Sequence, residues 1–387
     1  MSPIWLGGLL LLAPALYAGL MLVLRRAWEQ LPEIPAHPAP AVSPGQGLLF
    51  SVLVAARNET AALPGLLSDL QKQRLPPGAF EVLIIDDHSI DATAAVVERA
   101  AAAFPAFRLL RLSEQPGQPT GKKAALQAAL AVARAPWVVC TDADCRVSPD
   151  WLASYAALLS HDPEARFISG PVLLTPGGSG LDALMGLEFA GLVGVGAACI
   201  GAGAPTMCNG ANLAYRRDAF AAVQGFGGND HLASGDDEFL LHKLHREFPG
   251  SIRFLKNPAA IVRTPAPPSL GALLTQRVRW ASKWRHYEAA APQQLAVLVL
   301  LANVALTAGL VLALLNAALW PWVGLGWALK IGADAWFLFP VLGFLGRQRW
   351  LGWVLLLQLG YAPYALATGL FGLRGGYQWK GRQLGRI

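Results

Sequence analysis

Charge is scarce in this sequence. Of 387 residues, 31 are Lys or Arg and 25 are Asp or Glu, so charged side chains make up 14% while apolar ones reach 54%. A soluble domain of ordinary composition carries about 25% charged residues. The deficit points to a chain solvated in part by lipid. Cysteine is scarce too. Cys140, Cys145, Cys199 and Cys208 lack zinc-ligand spacing and suggest no disulfide framework; they read as reduced, buried thiols in a cytosol-facing domain. No internal repeat appears. The net charge of +6 suits an anionic membrane surface or a phosphate-bearing ligand, and nothing in its distribution calls for nucleic acid. The length allows one large domain plus membrane segments, or two modest domains.

What the chain does have is long apolar runs at both ends. Residues 4–24 form one run, about the length of a bilayer-spanning helix. A cleaved signal would carry its positive charges ahead of the run. Here Arg25 and Arg26 follow it, which fits an anchor with the rest of the chain in the cytoplasm. Segments 294–318, 322–345 and 350–373 can each span, with Lys330 and Asp334 the only charges inside them and Arg347 and Arg349 between the last two. So few internal charges argue against a transporter. The last segment contains Gln358 and Pro363 and fits a span or a re-entrant helix, so the side of the basic tail stays open. Residues 177–205, rich in Gly and Ala, read as a helix packed beside the membrane rather than a span. The domain organisation follows: anchor 1–26, linker 27–47, catalytic domain 48–264, interfacial helix 265–290, membrane region 291–373 and basic tail 374–387.

Between the apolar ends, strands alternate with helices. Strand runs occur at 48–55, 81–86, 107–112 and 137–141, with helical patterns at 60–73, 91–103 and 121–134. That alternation predicts an α/β domain, a mainly parallel sheet with helices on both faces. In such sheets ligands bind at the carboxyl ends of the strands. Three polar groups fall there: Arg57-Asn58-Glu59, Asp86-Asp87 and Asp142-Ala143-Asp144.

The acids invite specific chemistry. On an extended segment Asp142 and Asp144, at i and i+2, point the same way. Such a pair suits a hard divalent cation, Mg2+ or Mn2+, whose shell substrate phosphates complete; the same pair also occurs in ordinary solvated turns. Asp91 is a suitable N-cap for a helix over 92–103. Lys122 opens an alanine helix, where its charge opposes the dipole unless a phosphate binds. Asp236, Asp237 and Glu238 precede an amphipathic helix, where acids are favourable in any case, and a carboxylate there can also serve as a base. Gln276, Arg279 and Trp280 share one helical face, extended by Lys283 and Trp284. A basic, tryptophan-bearing face before a hydrophobic segment suits an interfacial helix.

The order of these motifs carries a resemblance. ARNE around 57, DDHSID at 86–91, GKKAAL at 121–126, TDADCRVSPDWL at 141–152, CNGANLAYRRDAF at 208–220, SGDDEFLLHKL at 234–244 and QRVRW at 276–280 resemble the inverting family 2 glycosyltransferases of GT-A fold. With its apolar ends, the chain is similar to the membrane-bound branch of cellulose, chitin and hyaluronan synthases and ceramide glucosyltransferases. The resemblance implies that Asp87, with Arg57 and Glu59, holds the base or ribose, and that Lys122 lies near the nucleotide. It implies a DxD pair of Asp142 and Asp144, the latter the firmer metal ligand, and Asp237 as general base beside Asp236, which stands where the family usually has Glu. Gln276, Arg279 and Trp280 match QxxRW, with Gln276 and Arg279 on the donor and Trp280 under the acceptor. Asn209 and Gly210 resemble the acceptor-side loop. The implied activity is transfer from a nucleotide-sugar, UDP-linked by preference, to a lipid or polyisoprenoid-linked acceptor at the cytoplasmic face of the cell membrane. A processive polysaccharide synthase and an inactive membrane scaffold are the alternatives.

Overall fold

The computed structural model describes residues 2–35, 47–76, 78–114, 120–175, 177–228, 235–283, 287, 289–374, 377–379 and 382–384. Of the residues singled out above, Trp284 and Ser234 lie outside these, as do most of the linker and residues 375–376, 380–381 and 385–387 of the basic tail.

In chain order the elements begin with α1 (Pro3–Gln30), β1 (Phe50–Ala56), α2 (Leu63–Gln71), β2 (Phe80–Asp86), α3 (Thr93–Ala103), β3 (Phe107–Arg111), α4 (Lys122–Val132), β4 (Trp137–Asp142), α5 (Trp151–His161), β5 (Phe167–Ser169) and β6 (Val172–Thr175). They continue through α6 (Gly180–Gly201), β7 (Leu213–Arg216), α7 (Arg217–Ala222), α8 (Asp236–Glu247), β8 (Ile252–Phe254), β9 (Val262–Pro265) and α9 (Leu270–Ala281). The chain ends with α10 (Ala290–Leu315), α11 (Trp320–Phe344), α12 (Val354–Arg374), β10 (Tyr377–Trp379) and β11 (Arg382–Leu384). Two compact units result. One takes Leu31–Thr175 and Met207–Pro265; the other takes Met1–Gln30, Pro176–Thr206 and Ala266–Ile387.

The first unit is built on a seven-stranded sheet in the order β3-β2-β1-β4-β7-β5-β8. β3, β2, β1 and β4 run parallel; β7 runs antiparallel to β4 and β5, and β8 returns parallel to β5. All seven residues of β2 are buried, as are six of seven in β1. Such continuous apolar strands form when helices cover both faces of a parallel sheet. The core beneath the sheet centre holds Phe50, Trp151, Tyr155, Phe167 and Tyr215, each almost wholly inaccessible. Backbones approach closely here. A Cβ added at Gly170 would lie 2.4 Å from the Asn212 carboxamide. Gly170→Ala is therefore expected to cost about 1–3 kcal/mol by overpacking, measurable as a lower chemical-denaturation midpoint with unchanged slope.

Register positions the candidate acids. Ala55 of β1 pairs with Asp142, and Ala56 pairs with Asp86. Parallel neighbours lie about 4.8 Å apart, so the two acids flank the carboxyl end of β1. The helix expected at 60–73 is the shorter Leu63–Gln71, because Pro64 sits in its first turn, where it needs no hydrogen-bonded N–H. The cap expected at Asp91 is shifted. Ala92 holds the cap position, while Asp91 accepts from the Thr93 N–H at 3.0 Å, the Thr93 hydroxyl at 2.5 Å and the Thr60 N–H at 3.2 Å. Desolvation opposes the Asp91 charge, but these Thr60 and Thr93 bonds hold its pKa down to about 2.

The second unit is helical. Among the described residues, five helices are long and apolar enough to cross a membrane. α1 and α11 run side by side in the same direction: Gly7 lies against the Trp322 ring, the Tyr17 hydroxyl donates to Asp334, and Trp28 meets Phe344 edge-on. α10 runs the opposite way, with Gly309 against Val323 and Leu10. Leu9 and Leu16 of α1, Leu314 of α10 and Leu359 of α12 are exposed, as lipid-facing positions are. Lys330 and Asp334 are neither solvated nor idle. They pair at 2.5 Å, and Gln358 of α12 donates to Asp334 at 2.6 Å. α6, the Gly/Ala-rich segment, has the length and hydropathy of a span, yet 67% of its most apolar window is buried within the unit. Its glycines explain why. Trp350 packs on Gly186, and Val341 packs on Gly194, where no Cβ would fit.

Candidate active site

Two loops at the carboxyl edge of the sheet are stitched together by the backbone. Asn58 and His88 both adopt left-handed conformations, with φ of 54° and 57°. Those turns let the Asn58 N–H donate to the Ser89 hydroxyl at 3.0 Å and the Ile90 N–H donate to the Asn58 side chain at 2.9 Å. The Glu59 N–H donates to the Thr93 hydroxyl at 2.8 Å. Arg57 donates to the Asp87 carbonyl at 3.1 Å. Asp87 is buried, and its carboxylate accepts from the Gly121 N–H at 3.0 Å while lying 3.1 Å from His88 Nδ1. Asp87 thus ties the end of β2 to the entry of α4. Sequence reading missed Ser89 and Thr93 as latches. The signal was present, since a hydroxyl side chain beside a sharp turn is a common local acceptor.

Lys122, at the first turn of α4, reaches the end of β4. Its Nζ lies 2.5 Å from Asp142 Oδ1. Burial works against the ammonium charge, but the Asp142, Asp236 and Asp237 carboxylates override it and push the lysine pKa up. One cation therefore organises acids from β4 and from α8. A Cβ placed on Gly210 would lie 3.2 Å from both Lys122 Nζ and Asp237 Oδ2. Lys122, Asp142, Gly210 and Asp237, assigned from distant parts of the sequence, thus share one spot.

Asp142 and Asp144 converge, though not along a straight strand. β4 ends at Asp142, and the chain turns there, with the Cys145 N–H donating to the Asp142 carbonyl at 3.1 Å. Ligand atoms of Asp142, Asp144 and Cys145 lie within 4.8 Å of one another. Burial first, then the Asp142 and Asp144 charges, push the Cys145 thiol well up, so it stays neutral. The charged donors are the two carboxylates, which fits a hard, oxygen-seeking Mg2+ or Mn2+.

Asp237 sits in the first turn of α8, behind a left-handed Gly235 cap. Its Oδ2 accepts from the Gly210 N–H at 2.8 Å and its Oδ1 from the Glu238 N–H at 2.9 Å. Asn209 closes the adjoining turn by accepting from the Ala211 N–H at 3.0 Å.

Gln276, Arg279 and Trp280 belong to the helical unit, on α9. There the residue between the assigned positions takes the buried role. Arg277 pairs with Glu188 of α6 through both Nε and Nη2, donates to Gln276 at 2.6 Å and lies 4.3 Å over the Trp280 ring. Tyr364 of α12 also donates to Glu188, at 3.0 Å. Neither Arg277 nor Glu188 was singled out from sequence. A single glutamate inside the apolar stretch 183–201 was the available signal.

A family model described as Glycosyl transferase family 2 matches residues 51–222, and one described as Glycosyl transferase family group 2 matches residues 137–365. The chain is 34% identical over 112 residues to a beta-monoglucosyldiacylglycerol synthase of Nostoc sp., covering 29% of this chain and 24% of that protein. It is 28% identical over 241 residues to a poly-beta-1,6-N-acetyl-D-glucosamine synthase of Staphylococcus aureus, covering 61% of this chain and 54% of that one. The chain thus spans about a quarter to a half of the length of these curated relatives. Among solved structures, a mannosyltransferase from Pyrobaculum calidifontis in complex with GDP-Man and Mn2+ aligns over 96% of this chain and 97% of that one, with TM-score 0.55 and 22% identity. At that identity the likeness speaks to the fold, which is GT-A-like.

Proposed function

This chain belongs to glycosyl transferase family group 2, and on that premise we propose that it is a membrane-bound, inverting glycosyltransferase. It moves a sugar from a nucleoside-diphosphate donor, UDP-linked by preference, to a lipid or polyisoprenoid-linked acceptor at the cytoplasmic face. The observation that carries this reading is the meeting of Lys122, Asp142 and Asp237 beside the Asp144 turn, at the carboxyl edge of a parallel sheet. The apolar helices support a membrane setting for the acceptor.

The residues divide the work. Asp87, with Arg57 and Glu59, holds the base or ribose. Asp142 and Asp144 would hold a divalent cation, Mg2+ or Mn2+, which would supply charge neutralisation to the diphosphate. Asp237 accepts the proton of the acceptor hydroxyl, and Asp236 adds negative charge beside Lys122. The hydroxyl oxygen bonds to the anomeric carbon as the bond from that carbon to the diphosphate oxygen breaks. The electron pair leaves with the diphosphate, where Lys122 offsets it. Asn209 and Gly210 receive the acceptor. One displacement inverts the anomeric configuration.

The test is nucleotide release by the detergent-solubilised protein with UDP-, GDP- and dTDP-sugars, Mn2+ or Mg2+ and a membrane lipid extract. Release from one donor that needs the cation is expected, with at least a hundredfold loss in Asp144→Ala. Metal-independent release, or an unaffected Asp144→Ala, would sink the metal assignment. The resemblance to a polysaccharide synthase favours a second reading, a processive polymerase. Products longer than one added sugar would establish it.

A further inference from the structure

We propose that Asn212 is a positioning residue for the transfer step, acting on Asp237 through the 209–212 turn. The proposal rests on the reading of Asp237 as the base. Asn212 is wholly inaccessible to solvent. Its side chain has capacity for four hydrogen bonds, and all four are made. Oδ1 accepts from Trp151 Nε1 at 2.9 Å and from the Tyr155 hydroxyl at 2.8 Å. Nδ2 donates to the Pro171 carbonyl at 2.7 Å and to the Ala260 carbonyl at 2.9 Å. Rotating the amide by half a turn would set its NH2 against two donors and its oxygen against two carbonyls. One orientation is therefore fixed, and with it the residue's backbone.

That backbone closes the turn. The Asn212 N–H donates to the Asn209 carbonyl at 3.0 Å, and the Asn212 carbonyl accepts from the Gly170 N–H at 2.7 Å. Within the turn the Ala211 N–H is held by Asn209 Oδ1, which leaves the Gly210 N–H directed at Asp237 Oδ2 at 2.8 Å. The path from the α5 side chains to the carboxylate thus alternates hydrogen bonds with the covalent backbone of residues 209–212. The turn must also stay close: Gly210 has no room for a side chain between Lys122 and Asp237 beyond a Cβ at 3.2 Å from each. Loosening Asn212 would let the turn drift, and a drift well under 1 Å misplaces a proton acceptor. The competing view is that Asn212 only satisfies two buried carbonyls, a purely structural task.

Trp151→Phe/Tyr155→Phe separates these views. It removes both donors to Oδ1 while leaving the two carbonyl partners and the turn's own residues in place. Ser51→Ala is the control, because Ser51 is equally buried and its hydroxyl donates to Glu81 and accepts from the Ala135 N–H, at the end of β1 opposite the acids. In the full-length, detergent-solubilised protein, the double variant is expected to speed hydrogen exchange in peptides covering both 207–212 and 235–239. Ser51→Ala is expected to lower the unfolding midpoint without either change. With the UDP-, GDP- or dTDP-sugar that the wild type uses, Mn2+ and the membrane lipid extract, the double variant should lose about ten- to a hundredfold in kcat at unchanged donor KM. Exchange that quickens only at 207–212, or kcat that survives in a loosened turn, overturns the proposal. If the wild type itself transfers no sugar, the functional reading fails, and the paired exchange of the two peptides still decides whether Asn212 governs Asp237.

Discussion

Asp237→Asn is expected to lower turnover by about a hundred- to ten-thousandfold, the range for removing a general base, while UDP binding in the presence of Mn2+ stays within about twofold. The substitution changes little in volume. It removes the ability to take a proton, and it alters the local bonding in one respect. Asp237 accepts from the Gly210 N–H with one oxygen and from the Glu238 N–H with the other. An asparagine has one acceptor oxygen, so one of these N–H groups will face an NH2 instead. That local cost should appear as a small fall in the unfolding midpoint, and it must be measured so that lost turnover is not confused with lost fold. Single-turnover nucleotide release under saturating donor, with product detected by mass, reads the chemical step. Full turnover in Asp237→Asn would move the base elsewhere, with Asp236 next in line. No turnover in wild type and variant alike, with donor, cation and lipid extract supplied, would instead favour the inactive scaffold.

The first unit was largely legible because its signals are local. A buried parallel strand needs a continuous apolar run, and 81–86 and 137–141 have one that ends in acids. Their carboxyl ends fall together because parallel pairing aligns them, as the pairing of Ala55 and Ala56 with Asp142 and Asp86 shows. Details that depend on turn geometry were read less well. Asp142 and Asp144 were expected to converge by strand alternation, and they converge through a turn closed by the Cys145 N–H instead. The Asn58 and Ser89 latch depends on two left-handed residues, which side-chain pattern alone does not reveal. Pairings over long separations were not legible at all. Glu188 and Arg277 stand 89 residues apart, and Asn212 meets Trp151 across 61. Only tertiary packing brings such groups together, so no window of sequence contains the relation. Lys330 and Asp334 were visible as the only charges in the late apolar segments; their partners Tyr17 and Gln358 were not.

Glu188→Ala is expected to destabilise the helical unit by about 3–5 kcal/mol, the cost of leaving one member of a buried ion pair without its partner. The two side chains are 8% and 5% exposed, so water cannot replace what is removed. Arg277 would retain the Gln276 side chain and the Trp280 face, neither of which carries a compensating charge. Arg277→Met leaves Glu188 with Tyr364 as its hydroxyl donor and should cost a similar amount. The double variant Glu188→Leu/Arg277→Met should recover most of the loss, because a buried pair replaced by apolar groups of similar volume is close to neutral. Thermal unfolding in detergent measures all three. Single variants as stable as wild type would mean that the pair is hydrated or rearranged, and that the α6, α9 and α12 packing does not depend on it. Recovery of stability without recovery of transfer would carry a further meaning. It would show that Arg277 matters beyond packing, since it lies between Gln276 and Trp280 and touches both. The helix would then be folded but the face bearing Gln276, Arg279 and Trp280 would be misplaced, and the ion pair would be a device for holding that face rather than for holding the fold.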